Sequence, residues 1–380
     1  MSRDLCVIGS PIDDENGEKY GAAYIFRYTE PNWVQEVKLF APNEDWDHWD
    51  YFGSSVSIDG DICIIGAYGD DPNGESSGSA YIFRYDDPNW VFESKFISPN
   101  PEEDGYFGRA VSIDGDVCII GAFGEDHDSY DVGSAYIFRF NGANWFLEAG
   151  LAAEDEHSRF GYSVSLRDNK CIIGAPSQDG AVPNSGAAYI FRYDDPNWVM
   201  EDKLTALQEQ WDAQFGYSVS LHDDVCIVGA SQSCPYVFRY HGSSSNWVQE
   251  VKLRASYGTV RDYGFGSSVS ISGDTCVVGD PFALNLPSSY VFRFDGRDWI
   301  KDQRLDAFDE SEPKQFEFGR SVAVDLDKLL IGFPTANENI GAVYAYSLCP
   351  WGDLSGDCFV GLADVAELAG EWLTGWNLPQ

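Results

Sequence analysis

The dipeptide Phe-Gly returns six times at nearly constant spacing, and that recurrence limits what the chain can fold into more than any other property it has. It stands at Phe52-Gly53, Phe107-Gly108, Phe160-Gly161, Phe215-Gly216, Phe265-Gly266 and Phe318-Gly319, in steps of 55, 53, 55, 50 and 53 residues. Such a period matches one four-stranded unit of a repeat architecture, so the chain is read as an array before it is divided into domains. Each unit keeps one order. A strand like SSVSI leads into a tight turn such as Asp59-Gly60-Asp61, then a continuous apolar strand such as ICIIGA, a variable loop, and a third strand like AYIFRY. A second turn and a fourth strand opening at Asn-Trp complete the unit, which predicts the blade of a β-propeller.

The second strand is apolar at consecutive positions, as in Cys63-Ile64-Ile65 and Cys118-Ile119-Ile120, whereas a sheet wetted on one face would alternate. Both of its faces must be covered, and blades packed face to face around an axis cover them. The Gly66-Ala67 pair permits close approach where sheets converge, and Phe52 and its equivalents are expected to wedge between blades. Counting the second-strand motif separately gives seven units, beginning at Cys6, Cys63, Cys118, Cys171, Cys226, Cys276 and Leu329. The expected fold is all-β: a seven-bladed β-propeller of four-stranded antiparallel blades over residues 1–348, followed by a short tail of calcium loop plus helix over 349–380. The first blade lacks its opening strand and the last its closing strand. Ring closure by a terminal strand would place both upstream of Met1, so a longer natural chain with those strands and a signal peptide is expected.

The motif FGxSVSIxGD, followed by xxIIGA and GxAYIFRY, resembles the FG-GAP repeat family in its short bacterial form, related to the integrin alpha-chain propeller. The resemblance implies a seven-bladed propeller, extracellular or at the cell surface, that binds rather than catalyses. Longer family members hold calcium between the first and second strands of a blade. Here that connection is a three-residue turn, Asp59-Gly60-Asp61 or Ser272-Gly273-Asp274, too short to wrap an ion that needs about six oxygens. No metal is therefore expected in the blades.

Six cysteines share one slot in successive blades, and the seventh blade places Leu329 there, which marks the slot as hydrophobic and the thiols as buried and free. Trp33, Trp90, Trp145, Trp198, Trp247 and Trp299 open the fourth strands and are expected to pack. Arg27, Arg84, Arg139, Arg192, Arg239 and Arg293 recur in the third strands as partners for acids on the adjacent strand.

In a meander, the connections between strands two and three and between strand four and the next strand one open on the same face of the disc. These connections are long, and those of the first three blades alone carry 21 of the chain's 62 acids. They also carry aromatic residues the repeat does not require. Loops on a rigid scaffold are where binding concentrates, so the candidate ligand site comprises Asp45, Trp46, Asp47, His48, Trp49, Asp50, Glu103, Asp104, Asp126, Asp128, Tyr130 and Trp211. Acids interleaved with tryptophans suit a carbohydrate, a cationic group or a protein partner. A solvated loop with Trp46 and Trp49 folded back over the rim is the alternative.

After Tyr346 the repeat stops, and CPWGDLSGDCFVGLADVAELAGEWL resembles one half of a type I dockerin, an EF-hand-like module that docks onto cohesin. The resemblance implies Ca2+ held by Asp353, Ser355, Asp357, the Phe359 carbonyl and Asp364, with a cohesin-like or surface partner for the tail. Two departures stand against it: a single segment instead of two, and Cys358 where a glycine should turn. A disulfide between Cys358 and Cys349, or a helical cap on the last blade, are the other readings.

A formal charge of −38 excludes a phosphate backbone as partner. No apolar run reaches the roughly 20 residues needed to cross a bilayer. Five scattered histidines, no zinc-helix pairing and no GxSxG elbow argue against an enzyme. Function is thus expected to be non-catalytic binding or adhesion at one propeller face, with a structural spacer of a larger secreted protein, or less favourably a carbohydrate-active hydrolase, as alternatives.

Overall fold

A computed structural model describes residues 1–13, 21–42, 49–126, 132–153, 155, 157–242, 246–255, 264–283, 286–306, 317–335 and 341–348. These form 26 β-strands in seven antiparallel meanders and, among the described residues, no helix. In blade II the strands Ser55–Asp59, Ile62–Ala67, Ser79–Asp86 and Asn89–Ile97 follow one another from the axis outward. Blades II to VI have four strands each. Blade I (Leu5–Ser10, Ala22–Thr29, Asn32–Leu39) and blade VII (Ser321–Asp325, Lys328–Phe333, Ala342–Ser347) have three. The propeller expected from the period is therefore present, with its first and last blades short of one strand. The tail expected as calcium loop plus helix lies outside the described residues.

Blade VII closes onto blade I with the same contacts that join other neighbours. The Gly115 amide donates to Asp59 at 2.9 Å and the Asp168 amide to Asp114 at 2.6 Å; between the last and first blades, the Arg3 amide donates to Asp325 at 2.7 Å. Lys328 adds an ion pair with Asp4 at 3.6 Å and lies over the Tyr28 ring.

The FG and GA motifs are explained by one close approach. A Cβ on Gly66 would stand 1.9 Å from the carbonyl oxygen of Gly108 in the next blade, and one on Gly121 would stand 2.0 Å from that of Gly161. Only glycine lets adjacent blades meet there. Phe52, Phe107, Phe160, Phe215, Phe265 and Phe318 are all fully buried, each beside the aromatic residues of its own third strand, as Phe52 is to Tyr81 at 5.4 Å. The wedge expected from sequence is thus formed. The second serine of SVSI ties the inner strands together round the axis. Ser57, Ser112, Ser165, Ser220 and Ser270 each accept a backbone N–H from the following blade at 3.0 to 3.1 Å.

An outer belt uses a defect in the sheet. Strands three and four of blades I to VI share a register shift, so that Phe83 opposes Phe92 while Ile82 opposes Ser94, leaving Glu93 as the extra residue of a β-bulge. Bulges re-aim side chains, and this one turns Glu93 to two donors. Arg84 of the same blade forms an ion pair with it, and the Trp145 indole of the next blade donates to it at 2.6 Å. The same bond joins Trp90 to Glu36, Trp198 to Glu148, Trp247 to Glu201 and Trp299 to Glu250. Arginine and tryptophan thus have the structural roles their spacing suggested, linked through a carboxylate on the bulge. The six repeated cysteines are buried and free, and Leu329 fills the seventh slot fully buried. Burial pushes the Cys6 thiol up to about 11 and the others further.

Candidate functional site

The loop face is assembled where strand two ends and the next inner strand begins. The residue before each FG pair has positive φ: 54° at Tyr51, 53° at Tyr106, 52° at Arg159, 56° at Gln214, 91° at Gly264 and 77° at Glu317. That left-handed residue turns the incoming loop onto the inner strand. The Ser54 amide then donates to the Tyr51 carbonyl at 2.9 Å, and the Arg109 amide to that of Tyr106 at 3.1 Å. Side chains before and after FG, and just after GA, are thereby collected around the axis on one face.

In blades II to V that collection is aromatic. Trp49 lies 6.0 Å from Tyr51, Tyr51 is stacked on Tyr68 at 4.9 Å, and Tyr68 meets Tyr106 at 6.0 Å. Tyr106 is stacked on Phe123 at 5.0 Å, Phe123 meets Tyr162 at 5.3 Å, and Tyr162 meets Tyr217 at 5.0 Å. The result is one arc of rings across four blades. Arg109 spans it, its guanidinium 5.6 Å from the Tyr68 ring and 5.5 Å from the Tyr162 ring. Burial, reinforced by Tyr217 and opposed by Arg109 and Arg320, raises the Tyr162 hydroxyl to about 12.

The acids of this face divide into two groups. Three residues beyond the end of the second strand in blades I to IV, near the loop root, a polar side chain ties the loop to strand three. The hydroxyl of Tyr24 donates to Asp13 at 2.5 Å, that of Tyr81 to Asp70 at 2.8 Å and that of Tyr136 to Glu125 at 2.5 Å, and Tyr189 bonds Gln178 in the same slot. Asp70 and Glu125 are buried, and Lys38 and Lys95 pair with Asp13 and Asp70 at 2.9 and 2.7 Å. These acids hold the scaffold. The second group reaches solvent.

Of the residues proposed from sequence, Glu103 and Asp104 are exposed, and Asp104 accepts from the Tyr106 hydroxyl at 2.9 Å. Asp126 is exposed, its amide donating to Glu102 at 2.7 Å. Trp49 is 46% exposed at the start of the aromatic arc, and Trp211 is 75% exposed on the connection between blades IV and V. Asp50 is buried, and its carbonyl accepts from the Gly69 amide at 3.1 Å. Asp45, Trp46, Asp47, His48, Asp128 and Tyr130 lie outside the described residues, as do Asp353, Ser355, Asp357, Phe359 and Asp364. Among the described residues, no group of three or more His, Cys, Asp or Glu is placed to hold a metal ion. No described helix is long and apolar enough to cross a membrane. The rim residues Tyr51, Tyr68, Tyr106 and Arg109 were not anticipated, although their adjacency to FG and GA in successive repeats is a signal that could have found them.

On the opposite face, a depression of about 400 Å³ opens between blades IV and V, lined by Arg167, Lys170, Arg192, Tyr193, Asp223 and Asp224 among others. Lys170 meets Asp224 within it at 2.7 Å, and Arg167 pairs outward with Asp114 of blade III at 3.6 Å.

A ring of bulged four-stranded blades, joined through glycine contacts and bearing its variable residues on one face, defines a repeat propeller of the binding or structural class. The sequence profile of the FG-GAP repeat matches residues 33–83, 90–138, 145–191, 198–238 and 247–292, more than half of the chain. The chain belongs to the FG-GAP repeat family. A comparison with the curated proteins found no match.

Proposed function

We propose that this propeller is a non-catalytic binding module of the cell exterior or surface, engaging a protein or carbohydrate through the face built by its long loops. One observation carries the reading: the repeated polar side chains are used within the scaffold, whereas the exposed aromatics of this face are not repeated. Arginine, glutamate and tryptophan join blades, the inner serines join strands, and the loop-root acids hold tyrosines. Trp49 and Trp211 belong to none of these sets and stand open to solvent. The family's FG-GAP architecture supports a binding or structural role. The tail, in this reading, is an attachment element that takes up Ca2+ through Asp353, Ser355, Asp357, Phe359 and Asp364.

Two measurements test the two parts. Immobilised wild type and a Trp49→Ala/Trp211→Ala variant are compared for glycan-array and surface-protein binding. Retained ligands should be lost by the variant, and a ligand held equally by both would move the site elsewhere. Calorimetric Ca2+ titration of the full chain and of Asp353→Ala/Asp357→Ala should show heat only in the former. Equal heats would remove the tail as the calcium element.

A further inference from the structure

The chain carries 62 acids against 24 bases, and the repeated arginines are matched to carboxylates. Arg27, Arg84, Arg139, Arg192, Arg239 and Arg293 each pair with the acid of their bulge. Arg109, Arg159 and Arg320 behave differently. Each flanks an FG pair, so the fold brings all three to the axis on the loop face, and none forms an ion pair with a carboxylate among the described residues. In a molecule so acidic, cations left unmatched beside the FG pair, Arg159 before it and Arg109 and Arg320 after it, call for a reason.

Arg109 shows the geometry most clearly. Its guanidinium carbon lies 5.6 Å from the Tyr68 ring centroid and 5.5 Å from that of Tyr162, within cation–π range of both. Its side-chain N–H groups donate to no other described residue. A planar fork of donors, set beside two rings and unfilled among the described residues, matches a carboxylate. The hydroxyls of Tyr68 beside it and of Tyr51, stacked on Tyr68, likewise have no hydrogen-bond partner among the described residues. Arg320, exposed and 5.6 Å from the Phe282 ring, adds positive charge from blade VII across the mouth.

We propose that the axial mouth of the loop face binds a carboxylated sugar, a uronic-acid residue, with its carboxylate on Arg109 and its hydroxyls on the Tyr51 and Tyr68 hydroxyls. This rests on the loop face being the ligand face and names what that face recognises. The overall charge favours one carboxylate delivered to the local positive mouth over a dense polyanion, which the surrounding acids would repel. Paired tyrosine hydroxyls, able both to donate and to accept, suit a polyol better than an apolar anion.

The test is calorimetry on the full chain with D-glucuronate, D-glucose as its uncharged counterpart, and an Asp-rich peptide. Glucuronate should bind at least tenfold more tightly than glucose. Arg320→Gln, at an exposed position that leaves the thermal midpoint unchanged, should weaken it by threefold or more, and Arg109→Gln by tenfold or more. Equal affinity for glucose and glucuronate overturns the proposal, as does glucuronate binding indifferent to both arginine variants. Peptide binding that depends on Arg109, with no response to glucuronate, overturns it in favour of a protein partner. Absence of all binding at the mouth overturns it too. The loop-face reading stands separately on the Trp49→Ala/Trp211→Ala comparison, so the two can fail independently.

Discussion

The belt joining neighbouring blades through bulged carboxylates makes a quantitative claim about energy. Glu93 receives the Arg84 ion pair and the Trp145 indole bond at 2.6 Å, from two different blades. Its side chain is 21% exposed and that of Arg84 is 26% exposed, so water screens both only in part. A hydrogen bond to a charged group contributes about 1.5 to 3 kcal/mol, and partial exposure favours the low end. Glu93→Gln keeps size but loses the charge and one acceptor, and should lower stability by about 2 kcal/mol. Trp145→Phe removes the N–H and some buried ring, with a loss of similar size.

Because one bond is shared by both substitutions, their effects should not add. Groups in one hydrogen-bonded network couple by about 0.5 to 3 kcal/mol, whereas sites without shared partners add to within about 0.5 kcal/mol. The assay is urea unfolding of wild type, both single variants and the double variant at pH 7. A coupling of about 1 kcal/mol is expected. Glu93→Gln combined with Trp198→Phe supplies the control, since Trp198 donates to Glu148 instead. If the Glu93–Trp145 pair couples no more than this control, the bulge carboxylate does not join the blades energetically, and the belt is packing alone.

Further predictions follow from the same contacts. Burial raises the Glu93 pKa, but the bonds from Arg84 and Trp145 outweigh it and hold the group below its ordinary 4.5. Its contribution is therefore complete above about 4.5 and is lost as pH falls through the folded value, so the stability gap between wild type and Glu93→Gln should shrink steadily in acid; a gap that widens would reverse the sign. Gly121→Ala places a Cβ 2.0 Å from the Gly161 backbone and should lower stability by about 3 kcal/mol. Gly115→Ala, with φ of 56° but open space around it, should lose only about 1 kcal/mol, and urea midpoints in the opposite order would refute the close-approach account. Cys63, Cys118, Cys171, Cys226 and Cys276 should resist alkylation in the native protein, while Cys234, only half-buried, reacts ahead of these five by peptide mapping. Modification of Cys118 ahead of Cys234 would mean that the second strand opens in the native state.

What was legible in the sequence tracks how often the physics repeats. The second strand shows both covered faces in Cys118-Ile119-Ile120 because each repeat imposes that burial, and Phe107 and Gly108 recur because every blade contact needs a wedge and a bare backbone. The tryptophan and arginine columns were visible for the same reason. Their link was not: Glu93 is distinguished only by a register shift between two strands, and pairing register is a property of the folded sheet. The loop-root acids misled in the opposite direction. Asp70 and Glu125 contribute to an acidic loop composition, yet they are buried against tyrosines eleven residues downstream, a contact that composition does not express.

The rim was harder still, because it combines a repeated backbone with side chains that do not repeat. The positive φ before FG is kept in six units, but it is filled by Tyr51, Tyr106, Arg159, Gln214, Gly264 and Glu317 in turn. Strain at a left-handed non-glycine residue is tolerated when the surrounding contacts determine the conformation, and here the FG glycine and inner strand determine it in every blade. The side chain at that position is therefore released from any duty to the fold. Evolution of such a ring can vary the rim without loosening the blades, which places tyrosines beside blades II and III and charged residues beside IV and VII. A scaffold whose repeated arginines, bulge acids and tryptophans satisfy one another blade by blade leaves its axial rim free to be chosen for a ligand. Arg109, beside two tyrosine rings and without an ion-pair partner among the described residues, is where that freedom is most clearly used.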